Sequence, residues 1–278
     1  MSAVGIVGPG RAGLGLAVAL TRAGHDVRLH GRRGKPVPPP LRLSWGGPPP
    51  WLDTVTVLVL AVRDDSIEPT ATAIASTGAV TAHHVVLHLS GLLDTAPLEA
   101  LRASGAALGV LHPLQAIAQP DAAPVRLRGA LAALSGDERA VRAAAELAES
   151  IGLRPVRVAG DAKARYHAAA AIASNYLVVL AAVAERLMED AGLATGDARA
   201  GITALMEGTL ANVAADGPAA LTGPIVRGDV ATVRAHLTVL PADLRALYCA
   251  LGQVALGLSS LDEATRDRMV ELLKRDGE

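Results

Sequence analysis

Three stretches of this 278-residue chain carry side chains able to move a proton or hold an anion, and their spacing limits what they could do. Lys163, His167, Ala171 and Asn175 recur at intervals of four, which sets them on one face of a helix. There Lys163 and His167 converge near the helix start, with Ser174 and Asn175 further along. Lysine or histidinium can stabilise a developing alkoxide and hand it a proton, and histidine suits this near neutral pH. Ser174 or Asn175 could orient the same oxygen by a neutral hydrogen bond. Asn175 in an apolar helix needs a partner, which a neighbouring helix supplies as readily as a substrate. The second stretch is His112-Pro113-Leu114-Gln115. Proline keeps the residue before it extended, so His112 is fixed at a strand mouth, either for chemistry or to position a loop. The third is Leu221–Asp229, where Thr222, Gly223 and Pro224 turn the chain and Gly228-Asp229 can cap the next helix. Thr222 is a candidate substrate contact. Arg227 could hold an anionic substrate group, pair with a carboxylate, or seal a dimer.

Elements must aim these groups, and the first 33 residues say which. The apolar run VGIV leads into Gly8, Gly10 and Gly13, helical spacing follows through Leu14, Leu16, Ala17 and Leu20 to Gly24, and a second run, VRLH, ends in Gly31-Arg32-Arg33. Strand, glycine turn, helix, strand is the order of a dinucleotide-binding βαβ unit. The first glycine makes the tight turn, the second admits a pyrophosphate to the backbone, and the third lets helix pack on strand. Pro9, Arg11 and Ala12 complete the turn, and the helix start offers free N–H groups to the diphosphate. A GxGxxG pattern alone also fits a turn that has lost its ligand; the flanking strands and helix favour a nucleotide site. An acid at the tip of the second strand would accept from the ribose hydroxyls of NAD, whereas arginine accommodates a 2′-phosphate. This tip carries Arg32 and Arg33 and no acid, so NADP is expected over NAD. Lys35, beside a proline run, reads as a solvated loop residue.

Ligands of doubly wound sheets lie beyond the C-terminal ends of the strands. Ala61 and Val62, ending the buried-strand run Val55–Val62, would pass beside the nicotinamide ribose, with Arg63 next. Ser90 and Gly91 follow Val85–Leu89 and could touch nicotinamide or substrate; His112 follows Ala107–Leu111. Strands over Ala130–Leu134 and Arg154–Val158, with a helix over Asp137–Ser150, bring the count to six or seven strands besides a short edge strand near residues 41–45. After Val158 no alternating pattern remains. Helices are expected from Asp161, as N-cap, to about Ala191, then over Gly196–Ala214, Asp229–Leu240, Ala242–Leu258 and Asp262–Lys274. The fold class is therefore an α/β doubly wound domain over 1–158 followed by an all-helical domain over 159–278.

Composition excludes several classes. Apolar residues make up 51% of the chain but phenylalanine is absent, so the cores must be built from Ala, Val and Leu. A net charge of −1 without a basic run argues against a nucleic-acid surface. MSAVGIVG reads as a strand and not a secretion leader. The run 168–184 approaches membrane-spanning length, but Ser174, Asn175 and Tyr176 in its middle make it a buried helix, so the cytoplasm and no membrane are expected. One cysteine, Cys249, allows no disulfide or thiolate zinc site within the chain and reads as a packed helix residue. The eight histidines form no HExxH or HxH, His83-His84 read as strand-edge residues, and no metal is expected.

Taken together, VGPGRAG at 7–13, LSG at 89–91, HPLQ at 112–115, YHAAAAIASNY at 166–176 and LTGPIVRGD at 221–229 resemble the bacterial Rossmann-like oxidoreductases whose C-terminal half is a helical domain of uncharacterised function. These are similar to ketopantoate reductases, pyrroline-5-carboxylate reductases and the 6-phosphogluconate and 3-hydroxyisobutyrate dehydrogenases. The resemblance spans essentially the whole chain and implies an NADP-dependent reductase that dimerises through its helical domain. Ketopantoate and 3-hydroxyacid relatives carry a catalytic lysine on this long helix, followed by asparagines one and two turns on. If Asn175 matches the later asparagine, His167 stands at the lysine position, Ala171 at the intermediate asparagine, and Lys163 one turn too early. That departure leaves open which of His167 and Lys163 donates a proton, and pyrroline reductases, which lack such a lysine, make imine reduction an equal fit. A catalytically silent NADP-binding regulatory or interaction protein is the alternative.

Overall fold

A computed structural model describes residues 2–275; the expected domain ends at residues 1 and 278 lie outside them. The chain divides into two compact units, residues 1–178 and residues from 179 on.

The first unit is one eight-stranded sheet with helices on both faces. Its strands are β1 (Ala3–Val7), β2 (Asp26–Gly31), β3 (Leu43–Trp45), β4 (Val57–Leu60), β5 (Val85–His88), β6 (Ala107–Pro113), β7 (Leu131–Gly136) and β8 (Arg154–Arg157), in the spatial order β3-β2-β1-β4-β5-β6-β7-β8. From β1 to β6 all pairings are parallel, so their C-terminal tips share one edge. β7 reverses against β6, with His112 opposite Ala133. The strand order switches direction between β1 and β4, where open parallel sheets take ligands.

Every residue of β4 is buried, as its unbroken VLVL requires of a strand covered on both sides. One face packs on α1 (Arg11–Arg22) and α4 (Glu138–Ser150) through Ile6, Leu16, Leu20, Val59, Ala144 and Leu147. The other packs on α2 (Asp64–Ala75) and the 3₁₀ helix Ala96–Ser104 through Leu58, Leu60, Ile67, Leu98 and Leu101. The short α3 (Ala123–Arg126) lies between β6 and β7. One capping expectation is corrected: Asp161 makes no cap hydrogen bond among the described residues, because a 3₁₀ turn over Gly160–Ala162 precedes the helix. α2 likewise has no side-chain cap at its N-cap residue, Arg63.

The long helix is not one regular rod. α5 (Lys163–Ala171) passes through five residues of π-helix, Ile172–Tyr176, into α6 (Leu177–Asp190). By length and composition the stretch Gly160–Asp190 would reach across a bilayer, with mean hydropathy 1.7 over its most apolar 18-residue window. None of its most apolar window is buried within the chain, which corrects the expectation of a buried helix: it is apolar but uncovered.

In the second unit, α7 (Thr195–Asp216) buries only Ala198 and Ile202. α8 (Val230–Val239), α9 (Ala242–Gly257) and α10 (Glu263–Arg275) close around Val233, Leu237, Cys249, Leu256, Met269 and Leu273. Gly252 lets α9 approach α10; a Cβ there would lie 3.0 Å from Leu273 Cδ2. Asp229 caps α8 as expected, accepting from the Thr232 N–H at 3.1 Å.

Candidate dinucleotide and proton-transfer site

The glycine turn after β1 assigns each glycine a separate constraint. Gly8 has a φ of +106°, and a Cβ on it would fall 2.4 Å from the Ala61 carbonyl oxygen and 2.9 Å from Val62 Cγ1. A Cβ on Gly13 would fall 2.1 Å from the Gly8 carbonyl oxygen, so α1 crosses the turn at backbone contact. Around Gly10 nothing lies within 4 Å of that position. Two glycines close the turn against Ala61 and Val62, and the third leaves an open backbone face at the start of α1, beside the exposed Arg11 and Ala12. A diphosphate needs that open face next to free N–H groups. Lys35 corrects its expectation: its ammonium donates to the Pro9 carbonyl, inside the turn. Arg32 and Arg33 are exposed and make no hydrogen bond or ion pair among the described residues.

At the tips of β5 and β6 three ring side chains converge. His112 Nδ1 lies 2.8 Å from the Tyr166 hydroxyl, with the rings edge to face at 5.6 Å, and the His167 ring is 6.2 Å from that of His112. Gly91 makes room for them: a Cβ there would be 2.8 Å from His112 Cε1, His112 Nε2 and His167 Nδ1 alike. Burial, reinforced by the charges of His167 and Lys163, pushes His112 down to about 4, so it is neutral at physiological pH. Burial raises the Tyr166 phenol above its ordinary value. Tyr166 received no role from the sequence, although its i,i+3 spacing from Lys163 puts both on one helix face.

Lys163 and Ser90 turn inward. Lys163 is 2% exposed and its ammonium donates to the Leu93 carbonyl at 2.5 Å. Burial pushes it down to about 8, against the opposing pull of Asp94 and Asp64. The Ser90 hydroxyl donates to Asp64 Oδ2 at 2.8 Å and accepts from the N–H groups of Leu92 and Leu93 at 3.2 and 3.0 Å. His88, fully buried, accepts from the Ser90 N–H on Nδ1, so its neutral ring donates from Nε2 to the Asp94 carbonyl at 2.6 Å. These bonds fasten the loop after β5 to the start of α5. His84 is likewise internal: it is buried, lying 2.9 Å from the Leu52 carbonyl and accepting from the Thr81 N–H, instead of standing at a strand edge.

The proposed face from Lys163 to Asn175 is broken. A π turn is wider than an α turn, so a step of four from Ala171 no longer completes it and Asn175 rotates off the line of His167. Ser174 Oγ donates back to the Ala170 carbonyl at 2.9 Å and lies 3.0 Å from Asn175 Oδ1, which is exposed. In the second unit Thr222 and Arg227 are exposed, and Arg227 makes no ion pair among the described residues.

Residues 130–255 match the domain of unknown function DUF2520. No curated protein matches the chain in sequence. Among solved structures, a Bacteroides fragilis protein proposed to be an NADP oxidoreductase superposes with a TM-score of 0.70 at 16% identity, covering 97% of this chain and 98% of its own. Protein TM1727 of Thermotoga maritima gives 0.61 at 22% identity, over 99% and 98%. Plasmodium falciparum pyrroline carboxylate reductase, solved with NADP bound, gives 0.62 at 13%, over 99% and 97%. This chain shares with them a Rossmann-like α/β domain followed by an all-helical domain. A fold shared at such identities is a scaffold, and function must be argued from the site.

Proposed function

We propose that the protein is an NADP-dependent oxidoreductase moving hydride to or from the carbon of a small carbonyl, hydroxy or imine compound that carries a carboxylate. The observation that carries this reading is the glycine turn, closed at Gly8 and Gly13 and open at Gly10. The Plasmodium reductase, similar over nearly the whole chain, was solved with NADP in place. In this reading Gly8, Pro9, Gly10, Arg11, Ala12 and Gly13 hold the diphosphate, Arg32 and Arg33 the 2′-phosphate, and Ala61 and Val62 the wall beside the ribose. Residues 1–158 bind the nucleotide, and 159–278 serve substrate and a homodimer in the cytoplasm.

When bound, the cofactor supplies or accepts the hydride. The chain's own part is the proton. The Tyr166 hydroxyl gives it to the substrate heteroatom, and neutral His112 restores it through Nδ1 while Nε2 takes one from the side of His167. Lys163 and Ser90 become positioning residues, holding the loop that carries Gly91. Ser174 and Asn175, off the line of His167, take no part in this proton path. Thr222 and Arg227 are candidates for an anionic group.

The test combines calorimetry with NADP and NAD and NADPH oxidation over 2-keto acids, cyclic imines and short 3-oxo acids. NADP is expected to bind at least tenfold tighter than NAD, and Tyr166→Phe to cost about 100-fold in kcat, the scale of one positioned proton donor. Unchanged turnover in Tyr166→Phe removes the phenol from the proton path, and unchanged turnover in His167→Ala removes that histidine. Uptake of NADP without turnover on any substrate favours the silent regulatory protein, and no uptake of either dinucleotide ends the reading.

A further inference from the structure

The chain has five aromatic residues, two of them tryptophan, and the two tryptophans stand in opposite circumstances. Trp51 is buried, its indole N–H donates to Ser44 Oγ at 3.1 Å, and it fills the space a Cβ on Gly5 would need. Trp45, at the tip of the edge strand β3, is 62% exposed. It is not a loose surface residue. β3 pairs with β2 so that Trp45 lies opposite Gly31, and the Gly46 N–H donates to the Gly31 carbonyl at 3.3 Å. Gly34 backs onto the indole; a Cβ there would stand 3.2 Å from both Cδ2 and Cε2. The ring is thus supported from one side by a residue without a side chain, next to Arg32 and Arg33, which have no partner among the described residues. All of this lies on the sheet edge that carries the glycine turn.

A supported indole on the strand edge that also carries two exposed arginines without partners among the described residues suits a planar heteroaromatic base joined to a phosphate. We propose that Trp45 is the stacking platform for the purine of the dinucleotide, with the base lying on the indole while Arg32 and Arg33 meet the neighbouring phosphate. Guanidinium groups alone would read the phosphate and leave the base unheld. The inference rests on the dinucleotide reading above, and its test separates the two.

The probe is 2′,5′-ADP, which carries the purine and the 2′-phosphate but no nicotinamide, titrated by calorimetry into the full chain alongside NADPH. Trp45→Ala is expected to weaken both about tenfold or more, the scale of a lost base–aromatic stack, and Trp45→Phe to keep most of the affinity. Adding 2′,5′-ADP should quench tryptophan emission in the wild type and not in Trp45→Phe, whose remaining indole is the internal Trp51. Wild-type affinity for 2′,5′-ADP in Trp45→Ala overturns the inference and leaves the NADP reading standing. A wild type that takes up neither probe overturns the NADP reading, and the inference with it.

Discussion

The two units of this protein treat apolar side chains in opposite ways. In the sheet unit Leu58, Leu60 and Leu87 are wholly enclosed between helices of the same chain. In the helical half, α6 buries nothing, and Leu205 and Leu210 of α7 are 64% and 51% exposed. Sequence composition is equally apolar in both. Hydrophobicity fixes that a surface must be covered, and topology decides whether one chain can cover it. The sheet unit meets its own demand; the helices α6 and α7 leave apolar surface uncovered within the single chain.

Breaking the glycine turn should give the largest effect on the self-sufficient side. Gly13→Val drives a side chain into the Gly8 carbonyl, which cannot yield, and is expected to cost about 3 kcal/mol or more in urea unfolding and to abolish NADPH uptake. Gly10→Ala meets only open space, so its stability should stay within about 0.5 kcal/mol of wild type while NADPH affinity falls at least tenfold. Equal damage from both would mean that Gly10 is structural.

On the helical side, Leu205→Glu should raise the dissociation constant of a dimer at least tenfold by sedimentation, because it sets a charge in the exposed apolar surface. The same variant should leave the monomer's unfolding free energy within about 0.5 kcal/mol, since Leu205 is exposed in the single chain. A wild type that sediments as a monomer at all concentrations would dissolve the comparison.

A pH dependence adds a further contrast within the sheet unit. The folded pKa of His112, about 4, lies below its ordinary 6.5, so the unfolded chain binds the extra proton. Its contribution is therefore complete above 6.5 and lost as pH falls towards 4, on the order of 2 kcal/mol. His112→Asn should flatten the stability profile between those limits relative to wild type, and an unchanged profile would mean that this imidazole is not the titrating group.

Much of the fold was legible because it follows from local pattern. VLVL, VVLH and ALGVLHP became β4, β5 and β6 with their polar residues at one edge, and the helices after residue 195 fall within a few residues of their expected bounds. What escaped depends on partners distant in sequence. Nothing local says that Lys163 reaches the Leu93 carbonyl, that Ser90 spends its hydroxyl on Asp64, or that Lys35 folds back to Pro9. The π turn was hidden for a different reason: IASNY has ordinary helical composition, and one extra residue in a turn leaves no mark on periodicity over so short a span. The uncovered α6 escaped because an apolar sequence does not name the chain that covers it.

Gly91 carries one more implication. Both imidazoles occupy the volume that any side chain at this position would claim, so the three residues form a single linked choice. An alanine at 91 would have to evict His112 or His167, and a protein of this fold bearing a larger residue there would have to manage its chemistry without one of the rings. The smallest residue at the strand mouth is thereby a marker for whether the paired rings are present at all.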